Sequence, residues 1–211
     1  MNMQICEIFK SVQGEGILIG APMTFVRTAG CNLNCAWCDT EYAKEEGTDY
    51  TVPQLMEEVR SRNIGQVCIT GGEPLLQGDL VKFIEALIQE SYVIQLETNG
   101  SIPLDEMPCS ESLLVSMDLK TPSSGMEDRM SMENLELLSP FDQLKMVVAD
   151  GKDRMFVREV LENHDLKCPV VLTPVGGTDL APLADWVLDQ GLEVRVLPQL
   201  HKLIWGEERG R

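Results

Sequence analysis

No stretch of this 211-residue sequence approaches the roughly 18 apolar residues that a membrane-spanning helix needs, so no membrane partner is expected. Basic residues are scarce too: 17 Lys and Arg stand against 34 Asp and Glu, for a net charge of −17. Phosphate backbones are bound by clustered Lys and Arg, so this balance argues against a nucleic-acid partner. It reads most simply as a solvated acidic surface. No signal-peptide pattern is visible, and the cysteines number seven, which is odd. Both features speak against a disulfide scaffold and for a reducing, cytoplasmic location. Repeats, linkers and low-complexity tracts are absent. With 44% hydrophobic residues the chain is expected to be one domain with a sizeable core.

One further absence carries chemistry. Cys31, Cys35 and Cys38 stand within eight residues, yet no second cysteine pair follows to complete a four-ligand metal site. Cys6, Cys68, Cys109 and Cys168 are scattered singly, and His164 and His201 lie far off without ligand spacing. An iron–sulfur cube is normally held by one thiolate per iron, so three cysteines leave one iron open to a small molecule. A structural zinc site would close its tetrahedron with a second cysteine pair or with histidines. Three core thiols are the remaining alternative, but a loop of Gly, Asn and Asp is a poor place for a core.

Short β-branched runs alternate with amphipathic helical patterns, the sign of βα units on a parallel sheet. Strands are predicted over 24–28, 66–70, 93–97, 113–117, 143–148, 170–173 and 193–197, and helices over 52–62, 79–90, 132–138, 153–163 and 180–190. Thr51 is a plausible N-cap for the first helix, with Pro53 in its first turn. Residues 97–113 hold too many breakers for a full helix, so one connecting helix is trimmed. Residues 4–9 read as a separate strand entering a Gly-rich turn. The expected fold is α/β, a single-domain, partial TIM-like βα barrel. It divides into an N-terminal extension at 1–23, which the family resemblance described below implies to be substrate-binding, a barrel at 24–198 and a C-terminal tail at 199–211. In such folds the chemistry lies in loops at the carboxyl ends of strands.

The spacing Cys-x3-Cys-x2-Cys, with Trp37 before the last cysteine, resembles the signature of the radical S-adenosylmethionine (SAM) enzymes. Thr70-Gly71-Gly72-Glu73-Pro74, at the next strand end, resembles the Gly-Gly-Glu motif with which that family binds the methionyl amino group. Two glycines let backbone carbonyls approach a ligand, and a carboxylate accepts from an ammonium. The resemblance implies a 4Fe–4S cluster on the three cysteines. The amino and carboxylate groups of SAM's methionine chelate the cluster's open iron, and one electron gives a 5′-deoxyadenosyl radical able to take hydrogen from an unactivated C–H bond. An external electron donor of flavodoxin or ferredoxin type is implied as well. SAM contacts are expected from Trp37, Cys38, Asp39, Gly72, Glu73 and Asn99, then from Ser116, Met117 and Asp118 at the fourth strand. Thr173, Pro174, Val175 and Gly176 after the sixth strand are expected along the adenine. Asn-Gly and Ser-x-Asp also serve as ordinary turn and capping chemistry.

The N-terminal run Glu7 to Gly16, Arg27, and Gln199-Leu200-His201-Lys202 together resemble the 7-carboxy-7-deazaguanine synthase family within that superfamily. The resemblance implies a carbon–nitrogen lyase of queuosine and 7-deazapurine biosynthesis. Such an enzyme contracts 6-carboxy-5,6,7,8-tetrahydropterin with loss of ammonia. It places substrate contacts on Val12, Gln13, Gly14, Arg27 and Thr70, a magnesium ligand on Thr40, and a homodimer; Glu15 and His201 are further candidate substrate contacts, His201 being equally a packed or hydrogen-bonded histidine. A guanidinium offers a planar fork to a carboxylate, and a Gly-rich turn with Gln13 and Glu15 can match a pterin's donors and acceptors. Arg27 could instead pair with an internal acid, and Thr40 could cap its loop. Glu15 and His201 are candidates for a proton acceptor. The chain ends in a charged run, 205–211, so the family's contact at the extreme C-terminus is not carried onto Arg211. A glycyl-radical-enzyme activase shares the cysteine loop but has no use for Gln13 and Arg27. A non-catalytic zinc or cluster-binding interaction protein is the alternative of another class.

Overall fold

The computed structural model describes residues 2–210; Arg211 lies outside them. One nine-stranded sheet runs through the chain: β1 (Met3–Val12), β2 (Pro22–Thr28), β3 (Thr48–Tyr50), β4 (Gln66–Gly71), β5 (Val93–Thr98), β6 (Leu113–Asp118), β7 (Gln143–Val148), β8 (Val170–Pro174) and β9 (Arg195–Val196). Its spatial order is β3-β1-β2-β4-β5-β6-β7-β8-β9. From β2 across to β9 every pairing is parallel, whereas β1 runs antiparallel to both β2 and β3. The N-terminal extension is therefore a strand of the same sheet, longer than 4–9. Periodicity does not predict β3, because three residues beside a 3-10 turn give too short a pattern to read.

The helices are α1 (Val52–Arg62), α2 (Leu80–Gln89), α3 (Asn134–Leu137), α4 (Gly151–Asn163), α5 (Ala181–Gln190) and α6 (Leu200–Trp205). Thr51 caps α1 in a reciprocal capping box with Gln54, as its sequence suggests. Asp150 accepts from the amides of Lys152 and Asp153 and starts α4 two residues before the expected 153. The helix expected over 132–138 is a single turn, and the strand over 193–197 pairs at two residues only. β9 is an edge strand that pairs with β8 alone, and the Asn134 side chain at the start of α3 is taken up by Gly100, Ile102 and Leu104. Within the C-terminal tail, Leu200–Trp205 forms α6, and the Leu200 amide donates to the Gly14 carbonyl at 2.8 Å.

Strand alternation divides the sheet into two unlike faces. Val67, Ile69, Ile94, Leu96, Val115, Met117, Leu144 and Met146 face the helices. There they form one core with Leu55, Val59, Phe83, Ile84, Leu87 and Val157. Burying each large side chain of that core contributes roughly 1.5–3 kcal/mol. On the other face the intervening residues are largely polar: Thr70, Gln95, Glu97, Ser116, Asp118, Gln143 and Lys145. A small apolar cluster of Met23, Phe25 and Cys68, with Phe9 and Leu18 against it, closes the β1–β2 end.

Candidate active site

The polar face of the sheet and the loops at its carboxyl edge enclose a cavity of about 420 Å³. Cys31, Cys35 and Cys38 border it on the loop after β2; all three are unpaired and half-buried. That loop is pinned on several sides. The Gly30 amide donates to the Ala43 carbonyl at 2.8 Å, the Ala36 amide to Ser124 at 3.0 Å, and the Glu73 amide back to Gly30 at 2.8 Å. Gly72 is obligatory there, because a Cβ on it would lie 2.0 Å from the Gly30 carbonyl oxygen and 2.9 Å from the Cys31 Cβ. The Gly-Gly-Glu strand end and the cysteine loop thus meet backbone to backbone.

The three thiols suit a cluster better than one zinc. Thiolates on a single zinc sit roughly 3.8 Å apart, from Zn–S bonds of about 2.3 Å. Among the described residues, the one set of three ligating side chains whose donor atoms all fall within 4.8 Å is Glu15, Asp39 and His201, with no cysteine in it. The three thiols are thus not drawn together as ligands of one zinc would be, and no fourth cysteine joins them on the same loop. Burial raises the Cys35 thiol, and the neighbouring Lys120 ammonium works the other way.

The cavity gathers most of the expected site. Val12, Gln13, Gly14, Glu15, Arg27, Thr70 and His201 line it, as do Trp37, Asp39, Thr40, Gly72, Asn99, Asp118, Val175 and Gly176. Five expected contacts do not. Met117 points to the helix-side core, and Ser116 is sealed beneath Glu97 and Gln143, donating to Glu97 Oε2 at 2.9 Å. Thr173 and Pro174 belong to β8 and lie outside the lining, so only Val175 and Gly176 reach the rim. Glu73 is fully buried. Its carboxylate accepts from the Asn99 amide (2.7 Å), the Thr98 hydroxyl (2.9 Å) and the Leu75 amide (2.9 Å). Burial raises the Glu73 carboxyl against those three donors. Its side chain fastens the β4 and β5 strand ends together, leaving backbone groups of Gly71 and Gly72 to face the cavity.

The electrostatic centre is Lys145 on β7, which motif reading misses although a lysine in the apolar run of that strand is its signal. Its ammonium pairs with Glu15 and lies 3.7 Å from Glu97 and 3.6 Å from Asp118. Burial opposes the charge, but the three carboxylates hold Lys145 protonated well beyond the usual range. Burial likewise raises Glu15, yet Lys145 and a 2.7 Å bond from Gln199 Nε2 outweigh it and hold the carboxyl at about 2. Glu97 goes the other way: burial raises it despite Lys145. Gln13 Nε2 donates to Gln95 Oε1 at 2.8 Å, and the Glu15 amide donates to Gln13 Oε1 at 3.1 Å. His201 packs over Gly14, where a Cβ would lie 2.0 Å from the imidazole Nδ1. Arg27 donates through Nε to Glu7 Oε1 at 2.8 Å.

The chain resembles known proteins along nearly its whole length. The Radical SAM superfamily model matches residues 25–136. The 7-carboxy-7-deazaguanine synthase of Thermoplasma acidophilum is 38% identical over 208 residues, covering 99% of this chain and 100% of that protein. The enzyme of that name from Koribacter versatilis is 39% identical, covering 98% of each chain. The crystal structure of QueE from Escherichia coli superposes with a TM-score of 0.75 at 25% identity, covering 93% of each chain. SuiB from Streptococcus suis shares the fold alone, with a TM-score of 0.58 at 13% identity over 82% of this chain and 47% of that one. With its cysteine loop, its Gly-Gly-Glu strand end and relatives matched from end to end, the chain belongs to the 7-carboxy-7-deazaguanine synthase family of the radical SAM superfamily.

Proposed function

We propose that this protein is a radical SAM lyase that converts 6-carboxy-5,6,7,8-tetrahydropterin to 7-carboxy-7-deazaguanine with loss of ammonia, working as a single catalytic domain. The observation that carries the reading is one cavity shared by the three cysteines, the turn residues Gln13 and Glu15, and Arg27. A peptide-activating radical enzyme would not need that small-molecule set.

Cys31, Cys35 and Cys38 would hold a 4Fe–4S cluster, which would supply the one-electron reduction of SAM on which hydrogen abstraction depends. The chain's own residues hold and orient. Cys31, Cys35 and Cys38 are the cluster ligands, and backbone groups of Gly71 and Gly72 receive the methionyl end of SAM. Trp37, Cys38, Asp39 and Asn99 flank it, with Asp118, Val175 and Gly176 on the adenosyl side. Phe9 and Phe25, stacked with ring centroids 5.1 Å apart, give a flat apolar wall for the pterin. Gln13 and the ionised Glu15 accept from its donor edge, with Val12, Gly14, Thr70 and His201 around them. Arg27 takes the carboxylate through its terminal nitrogens. Glu15, held at about 2, is a weak base. Glu97, raised by burial, is better matched to accept the proton lost as the ring becomes aromatic.

Magnesium is part of the same proposal. Thr40 and Asp39 offer hard oxygen donors on the cavity wall, beside Glu15 and His201. The ion would neutralise and orient the substrate carboxylate there. An external one-electron donor of flavodoxin or ferredoxin type, a homodimer and a cytoplasmic location complete the reading. No helix among the described residues is long and apolar enough to cross a membrane.

The test is anaerobic incubation of the reconstituted protein with SAM, reductant, magnesium and the carboxytetrahydropterin. Formation of the deazapurine is expected. SAM cleavage without it would remove the substrate assignment and leave the cofactor chemistry standing.

A further inference from the structure

Arg27 is the pivotal carboxylate receptor in this reading, and a free arginine is a poor one. Its side chain has many rotamers, and ordering them on binding costs affinity. Here the side chain is already ordered. Glu7 stands directly opposite Arg27 in the β1–β2 ladder, where cross-strand neighbours project to the same side. Glu7 Oε1 accepts from Arg27 Nε at 2.8 Å and from the Tyr42 hydroxyl at 2.9 Å. That bond takes the inner edge of the guanidinium, and the two terminal nitrogens make no hydrogen bond or ion pair among the described residues. Arg27 also lies over the Phe9 ring at 5.7 Å, which fixes the plane of the fork.

The second oxygen of Glu7 is held from the far end of the chain. Arg209 Nε approaches Glu7 Oε2 at 3.3 Å, and its Nη2 bonds Glu46 Oε2 at 2.7 Å. The same guanidinium stacks 3.9 Å above the Tyr42 ring. Glu7, Tyr42 and Arg209 therefore close a chain of contacts around Arg27, drawing on β1, β2, the turn after the cysteine loop and the C-terminal segment. Burial works to raise the Glu7 carboxyl, but the Arg27 and Tyr42 hydrogen bonds outweigh it and keep Glu7 ionised.

We infer that Glu7 is the positioning residue that holds Arg27 ready for the substrate carboxylate, and that Arg209 latches the C-terminal segment onto Glu7 to hold it there. The inference rests on the reading of Arg27 as the carboxylate receptor. Glu7 itself does not line the cavity, so it acts through Arg27 alone.

The test uses the reconstituted holoprotein with SAM bound and two fluorescent probes that differ only in the carboxylate, 6-carboxypterin and pterin. The wild-type protein is expected to prefer 6-carboxypterin, and Arg27→Ala to lose that preference. Glu7→Gln, which cannot neutralise two guanidinium groups, should weaken 6-carboxypterin about tenfold and leave pterin unchanged. Arg209→Ala should weaken it about threefold, as expected for one exposed ion pair with a stacked ring. In the Glu7→Gln background the Arg209 change should add nothing, because the two act in series. Equal weakening of both probes by Glu7→Gln, or no weakening, overturns the positioning role. An undiminished Arg209 effect in the double variant overturns the latch. If the wild-type protein shows no preference between the probes, the Arg27 reading falls and takes this inference with it. Iron content is measured on every variant. Should Glu7→Gln fail to load its cluster, Arg209→Ala at its exposed position decides alone, and its failure to weaken 6-carboxypterin selectively overturns the proposal.

Discussion

At the scale of single residues, the cavity works by setting the charge of groups that water would leave unconstrained. Arg27 is the simplest case. Replacing it with alanine removes the carboxylate fork, so the KM for the carboxytetrahydropterin should rise about tenfold or more while SAM cleavage persists. A fall in SAM cleavage with an unchanged KM would contradict that role. Lys145 gives a second prediction, on stability against pH. Glu15 is ordinarily at 4.5 and stands at about 2 in the fold. A depressed carboxyl contributes stability that is present above its unfolded value and is lost as pH falls toward its folded one. The contribution is therefore complete above 4.5 and disappears on the way down to about 2. In Lys145→Met the cation is gone, and burial makes the protonated acids the favoured forms. The gap in urea midpoint between wild-type and variant apoprotein should be widest above pH 4.5 and should narrow below it. A gap independent of pH would mean that Lys145 acts by packing alone.

At the scale of elements, the βα rhythm is legible in the sequence because each strand–helix pair repeats a pattern. β2, β4 to β8 and α1, α2, α4 and α5 stand close to their expected bounds. Among these, Asp150 extends α4 back two residues to Gly151, whereas the short α3 shrinks to one turn. Alternation within the strands carries still more. Every second residue of β5, β6 and β7 gives Gln95 and Glu97, Ser116 and Asp118, Gln143 and Lys145, the polar face of the sheet. The same count assigns Met117 to the helix side, where it packs. The meeting of two loops makes a prediction of its own. Gly72→Ala drives a methyl against the Gly30 carbonyl, which is backbone and cannot rotate away. The cysteine loop must shift, and SAM cleavage should fall by about 100-fold, the scale at which a misplacement of about 1 Å acts. The unfolding midpoint should change little, since the sheet lies beneath the loops. Wild-type cleavage rates in this variant would show that the contact is slack.

At the scale of the whole molecule, a chain of net charge −17 gathers Arg27, Lys44, Lys120, Lys145 and Lys202 around one cavity, which Glu15, Asp39, Glu97 and Asp118 also line. The cavity is thus less acidic than the chain as a whole, and Arg27, whose terminal nitrogens are left open, is the cation that remains to meet a substrate carboxylate. The three-cysteine loop predicts about four irons per chain after anaerobic reconstitution, whereas one zinc and no iron would sink the radical reading. The closing of the site is a property of the whole chain as well. α6 seats His201 on Gly14, Gln199 reaches Glu15, and Arg209 reaches Glu7, so the C-terminal segment completes a turn begun by the N-terminal one.

By itself the sequence determined the cofactor class, because three cysteines at a fixed spacing on one loop are a local property that needs no partner. It determined the parallel βα order for the same reason, since hydrophobic period is read within a segment. Only the tertiary structure decided which carboxylates stay charged, that Glu73 fastens two strand ends, and that His201 has Gly14 for a neighbour. Those outcomes depend on distance, burial and desolvation between residues from opposite ends of the chain, as for Gly14 and His201, and no local pattern encodes them.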